Sequence, residues 1–125
     1  MNQGSTKRPE DWTDEEVFAE IGKIVVKFPL LQCDRCAKAV MEWVETNGID
    51  GKILKLRTKN IRQRYILSDR IGENESITEN GQHYGVEVRG RIFDNLSPEG
   101  LLKEDWLKDF SCSSGQFIVE ELEEL

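Results

Sequence analysis

The stretch Leu30-Leu31-Gln32-Cys33-Asp34-Arg35-Cys36-Ala37-Lys38-Ala39-Val40-Met41-Glu42-Trp43-Val44 decides how the rest of the chain is interpreted. Beginning at Cys33, apolar residues recur every three or four positions, which is the spacing of one face of an α-helix. The pattern predicts a helix from Cys33 to Thr46, ended by Asn47-Gly48 with the glycine as a left-handed C-terminal cap. Two thiols therefore fall in the first helical turn, where unpaired backbone N–H groups favour a thiolate.

Cys33 is the better candidate for a reactive thiol. Cys36 lies one turn deeper, beside Ala37, on the apolar side of the predicted helix. A thiol in that position is an inert core residue unless it is needed as a ligand or redox partner. The sequence alone also allows a purely structural role, in which both cysteines only fill the core.

Composition limits the class of protein. With 125 residues the chain fits one domain, and 17 basic against 24 acidic residues, net −7, argue against a nucleic-acid binder. No apolar run approaches the roughly 20 residues that cross a bilayer, and the first residues lack the apolar core of a secretory signal. Three cysteines, an odd number, do not suggest a disulfide framework. We expect a cytoplasmic protein with no membrane span, no nucleic-acid partner and no cofactor.

The remaining patterns predict an α+β domain, in which N-terminal helices pack on a small antiparallel sheet. Thr13 and Glu16 form a capping-box pattern at the start of a first helix that Pro29 stops. The other predicted elements are strands at Lys52–Thr58 and Arg64–Ser68, a loop at Asp69–Asn80, a hairpin at His83–Leu96, a helix that begins at Ser97-Pro98, and a final strand at Gln116–Val119. We assign residues 1–11 to a flexible tail, residues 12–120 to the single domain and residues 121–125 to an acidic tail.

The hairpin carries the one histidine of the chain, His83. If its turn is the two residues Arg89-Gly90, Asp94 lies opposite Gly85 and points to the same face as His83, one diagonal step away. A three-residue loop would instead send the carboxylate to the other face. In the first register, a carboxylate orients an imidazole as the third member of a catalytic triad orients its base.

Four segments carry a resemblance to a known family. They are Leu31-Gln32-Cys33-x-x-Cys36-Ala37, Gly48-Ile49-x-Gly51, Ile77-Thr78-x-Asn80-Gly81-x-His83-Tyr84-Gly85 and Ile92-Phe93-Asp94-Asn95-Leu96. Together they resemble the papain-fold toxin domains of bacterial polymorphic toxin systems. The resemblance implies a papain-like cysteine-enzyme fold, with Cys33, His83 and Asp94 at the family's catalytic positions. It also implies a protein substrate, delivery into a target cell and a cognate immunity protein as partner.

The reaction class implied is attack of a thiolate on an amide or ester bond, which covers peptidase, deamidase and acyl transferase outcomes. One feature departs from papain-type peptidases, whose oxyanion-hole glutamine lies some residues before the nucleophile. Here Gln32 directly precedes Cys33, so the sequence leaves oxyanion stabilisation to backbone N–H groups or to an unassigned side chain.

Three other functions compete with the enzyme. Cys33, Cys36, Cys112 and His83 offer the ligand types of a structural zinc site. Cys33 and Cys36 also have the spacing of a dithiol redox motif, although a helix and Pro29 precede them where a thioredoxin-like unit has a strand. A non-catalytic module that binds a partner through its acidic surface and final strand is the third.

Overall fold

The computed structural model describes residues 7–60, 62–69, 71–78, 80–112 and 115–124. In these ranges the helices are α1 (Asp14–Val25), α2 (Cys33–Thr46) and α3 (Lys103–Asp109), and one turn of 3-10 helix, Pro9–Asp11, precedes α1. The strands are β1 (Lys52–Thr58), β2 (Leu67–Ser68), β3 (Gly72–Ser76), β4 (Gln82–Val88), β5 (Arg91–Phe93), β6 (Phe110–Ser111) and β7 (Phe117–Leu122). The pairing is antiparallel throughout these strands, which confirms the predicted α+β class.

Helix α1 begins as its capping box predicts. The backbone N–H of Glu16 donates to Oγ1 of Thr13 at 3.1 Å, and the N–H of Thr13 donates to Oε1 of Glu16 at 3.0 Å. The helix ends at Val25, earlier than Pro29, and the turn that follows is tightened by a bond from the N–H of Phe28 to the carbonyl of Val25. The restriction that a proline places on the residue before it applies to Phe28 and keeps the helix from continuing through Pro29.

Helix α2 has the predicted bounds, and Gly48 after it takes the left-handed φ of 68° that the C-terminal cap requires. Its buried residues are Cys33, Cys36, Ala37, Val40, Met41 and Val44, which is the apolar face expected from the sequence. The predicted face therefore packs into the core, and the N-terminus of the helix carries Cys33.

The main sheet has the strand order β5-β4-β1-β7, and it has a core on each face. On one face, α1 and α2 pack over residues that include Ile53, Val86 and Phe93. On the other, Trp106 of α3 and Phe110 join residues that include Leu54, Leu56 and Ile92. The central pair aligns Leu56 of β1 with His83 of β4, so the histidine lies near one end of the sheet.

A second sheet, of order β3-β2-β6, replaces the predicted loop at Asp69–Asn80, and that prediction is wrong. The predicted strand at Arg64–Ser68 is also shorter, since only Leu67–Ser68 pairs. Strand β3 is rich in polar residues, which have weak strand propensity, and it forms by pairing with β2 in an irregular hairpin. A hydrogen bond from Oγ of Ser68 to the carboxylate of Asp109 adds a buried polar link between β2 and the end of α3.

The helix predicted to begin at Ser97-Pro98 begins instead at Lys103. The later start is explained by Leu101, whose backbone pairs with that of Ile92 in β5. The N–H of Leu101 donates to the carbonyl of Ile92 at 2.9 Å, and the N–H of Ile92 donates to the carbonyl of Leu101 at 2.7 Å. Residues held in a β-bridge cannot take helical dihedrals, so Ser97 to Gly100 form a turn.

The final strand continues three residues beyond its predicted end at Val119, to Leu122. Pairing with β1 explains the extension, because Arg57 of β1 binds Glu120 at 2.8 Å and offsets one of the strand's acidic charges. At the other end of the chain, residues 1–6 of the predicted tail lie outside the described residues, and Arg89 donates to the carbonyls of Pro9 and Trp12. No helix in the described part of the chain is long and apolar enough to cross a membrane.

Candidate active site

Cys33 is the first residue of α2 and is 7% exposed. The first bond of the helix runs from the N–H of Cys36 to the carbonyl of Gln32, so the amides of the preceding turn have no acceptor within the helix. The side chain of Gln32 makes no capping hydrogen bond. Leu31, just before it, takes a φ of 74°, an uncommon value for a residue with a branched side chain. The helix therefore presents its positive N-terminal end at the thiol.

His83 lies in β4 and is fully buried. Its ring stacks against Trp106 with a centroid distance of 6.1 Å and meets Phe110 at 5.1 Å. Aromatic side chains from α3 and β6 thus hold the plane of the imidazole.

Asp94 follows β5 and reaches the same imidazole. Val86 pairs with Phe93 and Val88 pairs with Arg91, so the turn between the strands has two residues. In the same register, the next pair places Asp94 opposite Gly85. The predicted register is therefore confirmed. Nε2 of His83 donates to Oδ2 of Asp94 at 2.8 Å, because a carboxylate can only accept.

Two further donors fix this carboxylate. Nε1 of Trp106 donates to Oδ2 of Asp94 at 2.8 Å, and the N–H of Leu96 donates to Oδ1 at 3.0 Å. A Cβ on Gly85 would lie 2.8 Å from Cγ2 of Ile92 and 3.0 Å from Cζ2 of Trp106. The glycine consequently allows the indole to approach the hairpin closely enough to bind the acid.

The Cys33 thiol and the Asp94 carboxylate both influence the protonation of the His83 ring. Burial lowers the pKa of His83, but hydrogen bonds and charge from Asp94 and from Cys33 outweigh it and raise the pKa from 6.5 to about 9. Nδ1 of His83 has no hydrogen-bond partner of ordinary geometry among the described residues. Catalytic hydrogen bonds are often long before substrate binds. At neutral pH the ring is an imidazolium between a carboxylate and a thiol.

A cleft of about 320 Å³ leads to the sulfur. Its walls are formed by Leu31, Cys33, Asp34, Ile77, Thr78, Asn80, Gln82 and Tyr84. The hydroxyl of Tyr84 donates to Oε1 of Gln82 at 3.4 Å, and the hydroxyl of Thr78 donates to the carbonyl of Arg64 at 2.7 Å. Cys33 therefore borders the cleft, whereas His83 is fully buried.

Residues 16–111 match the model of a family described as papain fold toxin 2. The match spans more than three quarters of the chain and includes Cys33, His83 and Asp94. The chain belongs to this family. The membership confirms the resemblance expected from the sequence, and it agrees with the observed helices and antiparallel sheet. No curated protein and no solved structure matches the chain.

The second cysteine of this papain fold toxin 2 domain has a different environment. Burial, and then the charges of Asp94 and Cys33, raise the pKa of the Cys36 thiol to about 12, so it stays protonated at neutral pH. The zinc alternative needs Cys33, Cys36, Cys112 and His83 together. Among the residues that the structure describes, no three His, Cys, Asp or Glu side chains are grouped as metal ligands would be.

Sequence reasoning missed two parts of the site. Trp106 is predicted only as an apolar residue of a helix, yet its indole N–H binds Asp94. The signal available was general, because a buried tryptophan usually needs an acceptor for its N–H. Gln82 and Tyr84 flank His83 in sequence, and alternation along a strand places both on the face opposite the imidazole. For that reason they were not predicted as site residues, but both line the cleft beside Cys33.

Proposed function

We propose that this domain is a cysteine-dependent acyl-transfer enzyme in which Cys33 is the nucleophile, His83 moves the proton and Asp94 orients His83. The observation that carries the proposal is the buried imidazole, bound through Nε2 to Asp94 at 2.8 Å, whose other nitrogen is left for the Cys33 thiol. In a catalytic triad the nucleophile contacts the base, and the base contacts the carboxylate that orients it.

The raised pKa of His83 favours an ion-pair mechanism. A charged imidazolium beside a thiol favours the thiolate, which is the nucleophilic form. The thiolate of Cys33 attacks the carbonyl carbon of an amide or ester, a C–S bond forms, and the carbonyl electron pair moves to oxygen. When the tetrahedral intermediate collapses, the proton on Nδ1 of His83 passes to the leaving amine or alcohol, and a thioester remains on Cys33.

The oxyanion of that intermediate needs donors that do not move. The unpaired amides of the first turn of α2 are one source. The carboxamide of Gln82 is the second, since Tyr84 engages its oxygen and Nε2 remains the end that can donate into the cleft. We assign the oxyanion-stabilising side chain, which the sequence left open, to Gln82.

The acceptor that resolves the thioester determines the outcome. Water gives hydrolysis, so that the enzyme acts as a peptidase when the leaving group is a main-chain amine and as a deamidase when it is ammonia. A second amine or hydroxyl gives acyl transfer. All three outcomes use the same residues on the enzyme.

The family supports a toxin or effector role, and we propose a protein substrate inside a target cell. A cognate immunity protein would then protect the producing cell. The chain has a net charge of −7, so complementary electrostatics favour a basic patch on that partner.

The proposal is tested with Cys33→Ala, with Cys36→Ala as its matched control. Both thiols are on one helix and both changes remove a sulfur. Expression of the wild-type domain should arrest the growth of bacterial cells, Cys33→Ala should not, and Cys36→Ala should keep activity in proportion to its folded fraction. Circular dichroism and thermal unfolding establish that fraction. Growth arrest by a folded Cys33→Ala protein would contradict the assignment.

A further inference from the structure

Among the described residues that line the cleft, one carboxylate carries a formal charge. It belongs to Asp34, and a thiolate on Cys33 is the only other formal charge in this described lining. Leu31 and Ile77 provide apolar wall, and Thr78, Asn80, Gln82 and Tyr84 provide neutral polar groups. A ligand that fits this lining has an aliphatic stem and a cationic end.

Asp34 has no hydrogen-bond or ion-pair partner among the residues that the structure describes, and it is exposed. An acidic residue near a helix N-terminus stabilises the helix, but this one is next in sequence to the proposed nucleophile, where like charge opposes the thiolate.

The groups around Tyr84 also indicate that the electrostatic potential in the cleft is negative. Burial and then the negative charges of Cys33, Asp34 and Glu120 raise the pKa of the Tyr84 phenol. Glu120 is itself bound to Arg57 at 2.8 Å, which compensates its charge. Among the described residues, Asp34 is therefore the anion beside the cleft that has no ion-pair partner.

The apolar part of the cleft matches a long side chain. Leu31 is 45% exposed although it is apolar, and it is held beside the nucleophile by a left-handed backbone conformation. Lysine and arginine place a three- or four-carbon stem along such surface while the charged head stays near water or a carboxylate. At about 320 Å³ the cleft has room for a single side chain rather than a large cofactor.

We propose that the cleft binds the side chain of a lysine or arginine in the protein substrate, next to the carbonyl that Cys33 attacks, with Asp34 as the cation's partner. The inference rests on the proposed function, because it defines what the same catalytic site selects. Basic segments of a target protein are the substrate class that follows.

The test uses the p-nitrophenyl esters of Nα-protected lysine, norleucine and glutamate, which acylate a thiol without needing the natural substrate. Norleucine has a stem close to that of lysine but no charge. At low ionic strength the wild-type domain should react with the lysine ester about fivefold faster than with the norleucine ester, as expected for a partly exposed ion pair. The glutamate ester should be slowest.

Asp34→Asn should bring the lysine-to-norleucine ratio to about one. The matched control is Asp50→Asn, the same change past the opposite end of α2, which should keep the wild-type ratio. Added salt should lower the wild-type ratio and leave the ratio of Asp34→Asn unchanged.

An equal ratio in wild type and Asp34→Asn, or preference for the glutamate ester, would overturn the inference while the proposed function stands. Failure of all three esters to acylate Cys33 would overturn the proposed function itself. In that case the cleft charge is still measured by the rates at which 2-bromoethylamine and iodoacetamide alkylate Cys33. Their ratio falls in Asp34→Asn if Asp34 attracts cations, and an unchanged ratio rejects that role.

Discussion

Replacing Asp94 with asparagine removes the charge that keeps His83 protonated while nearly preserving the size of the side chain. The pKa of His83 is raised in the folded protein from 6.5 to about 9. At 1.36 kcal/mol per pKa unit, this shift corresponds to about 3 kcal/mol of folding free energy. Without the Asp94 charge, burial opposes protonation and only Cys33 favours it, so most of that stabilisation should disappear.

The pH dependence follows from the sign of the shift. A folded-state pKa above the unfolded value stabilises the protein fully below pH 6.5, and the stabilisation is lost as the pH rises through about 9. Asp94→Asn should therefore be destabilised by about 3 kcal/mol more near pH 6 than near pH 10. Groups that titrate equally in both proteins cancel in this comparison.

Urea unfolding of the two proteins at each pH, in reducing buffer, measures the difference. Because the chain has one histidine, a nuclear magnetic resonance titration of its imidazole gives the pKa of His83 without overlap. Equal destabilisation at both pH values, or a wild-type imidazole that titrates at or below 6.5, would refute the reasoning.

Three further outcomes are expected. Trp106→Phe removes the indole donor to Asp94, so it should lower the free energy of unfolding by about 2 kcal/mol and slow acylation. Trp12→Phe is the same change at an indole N–H without a described partner, and it should destabilise the protein less. Urea unfolding and ester kinetics compare the two variants. Gly85→Ala should cost about 1–3 kcal/mol by calorimetry, since its Cβ would displace Trp106, and wild-type stability would contradict that packing. Cys36 should remain unlabelled by iodoacetamide near pH 8, because its pKa is about 12, and rapid labelling found by peptide mass spectrometry would show the thiol to be exposed.

Local rules account for the parts of the fold that were predictable. Helix α2 was predicted with its observed bounds because its apolar residues keep helical spacing up to a glycine that takes the left-handed cap. The register of β4 and β5 followed from the two-residue turn at Arg89-Gly90, and the register alone sets Asp94 on the face of His83. These elements are determined by residues near one another in sequence, which is the information that pattern analysis uses.

The failures come from backbone pairing and packing that the local pattern of apolar residues does not reveal. Strand β3 has weak strand propensity and forms because β2 pairs with it. Ser97-Pro98 is a good helix start in isolation, but the bridge from Leu101 to Ile92 delays α3 until Lys103. Trp106 reaches Asp94 only after α3 has packed on the sheet, so its role could not be predicted from its own neighbours.

Trapping an acyl-enzyme shows whether Cys33 is a nucleophile that depends on His83. The wild-type domain and His83→Gln are each mixed briefly with p-nitrophenyl acetate, quenched in acid and mapped by peptide mass spectrometry. The account predicts one acetyl group on the wild-type peptide that carries Cys33, and at least about a hundredfold less on that peptide in folded His83→Gln, the scale of general acid–base catalysis. Acetylation of Cys33 at equal rates in both proteins, or acetyl groups found only on Cys112 and lysines, would contradict it.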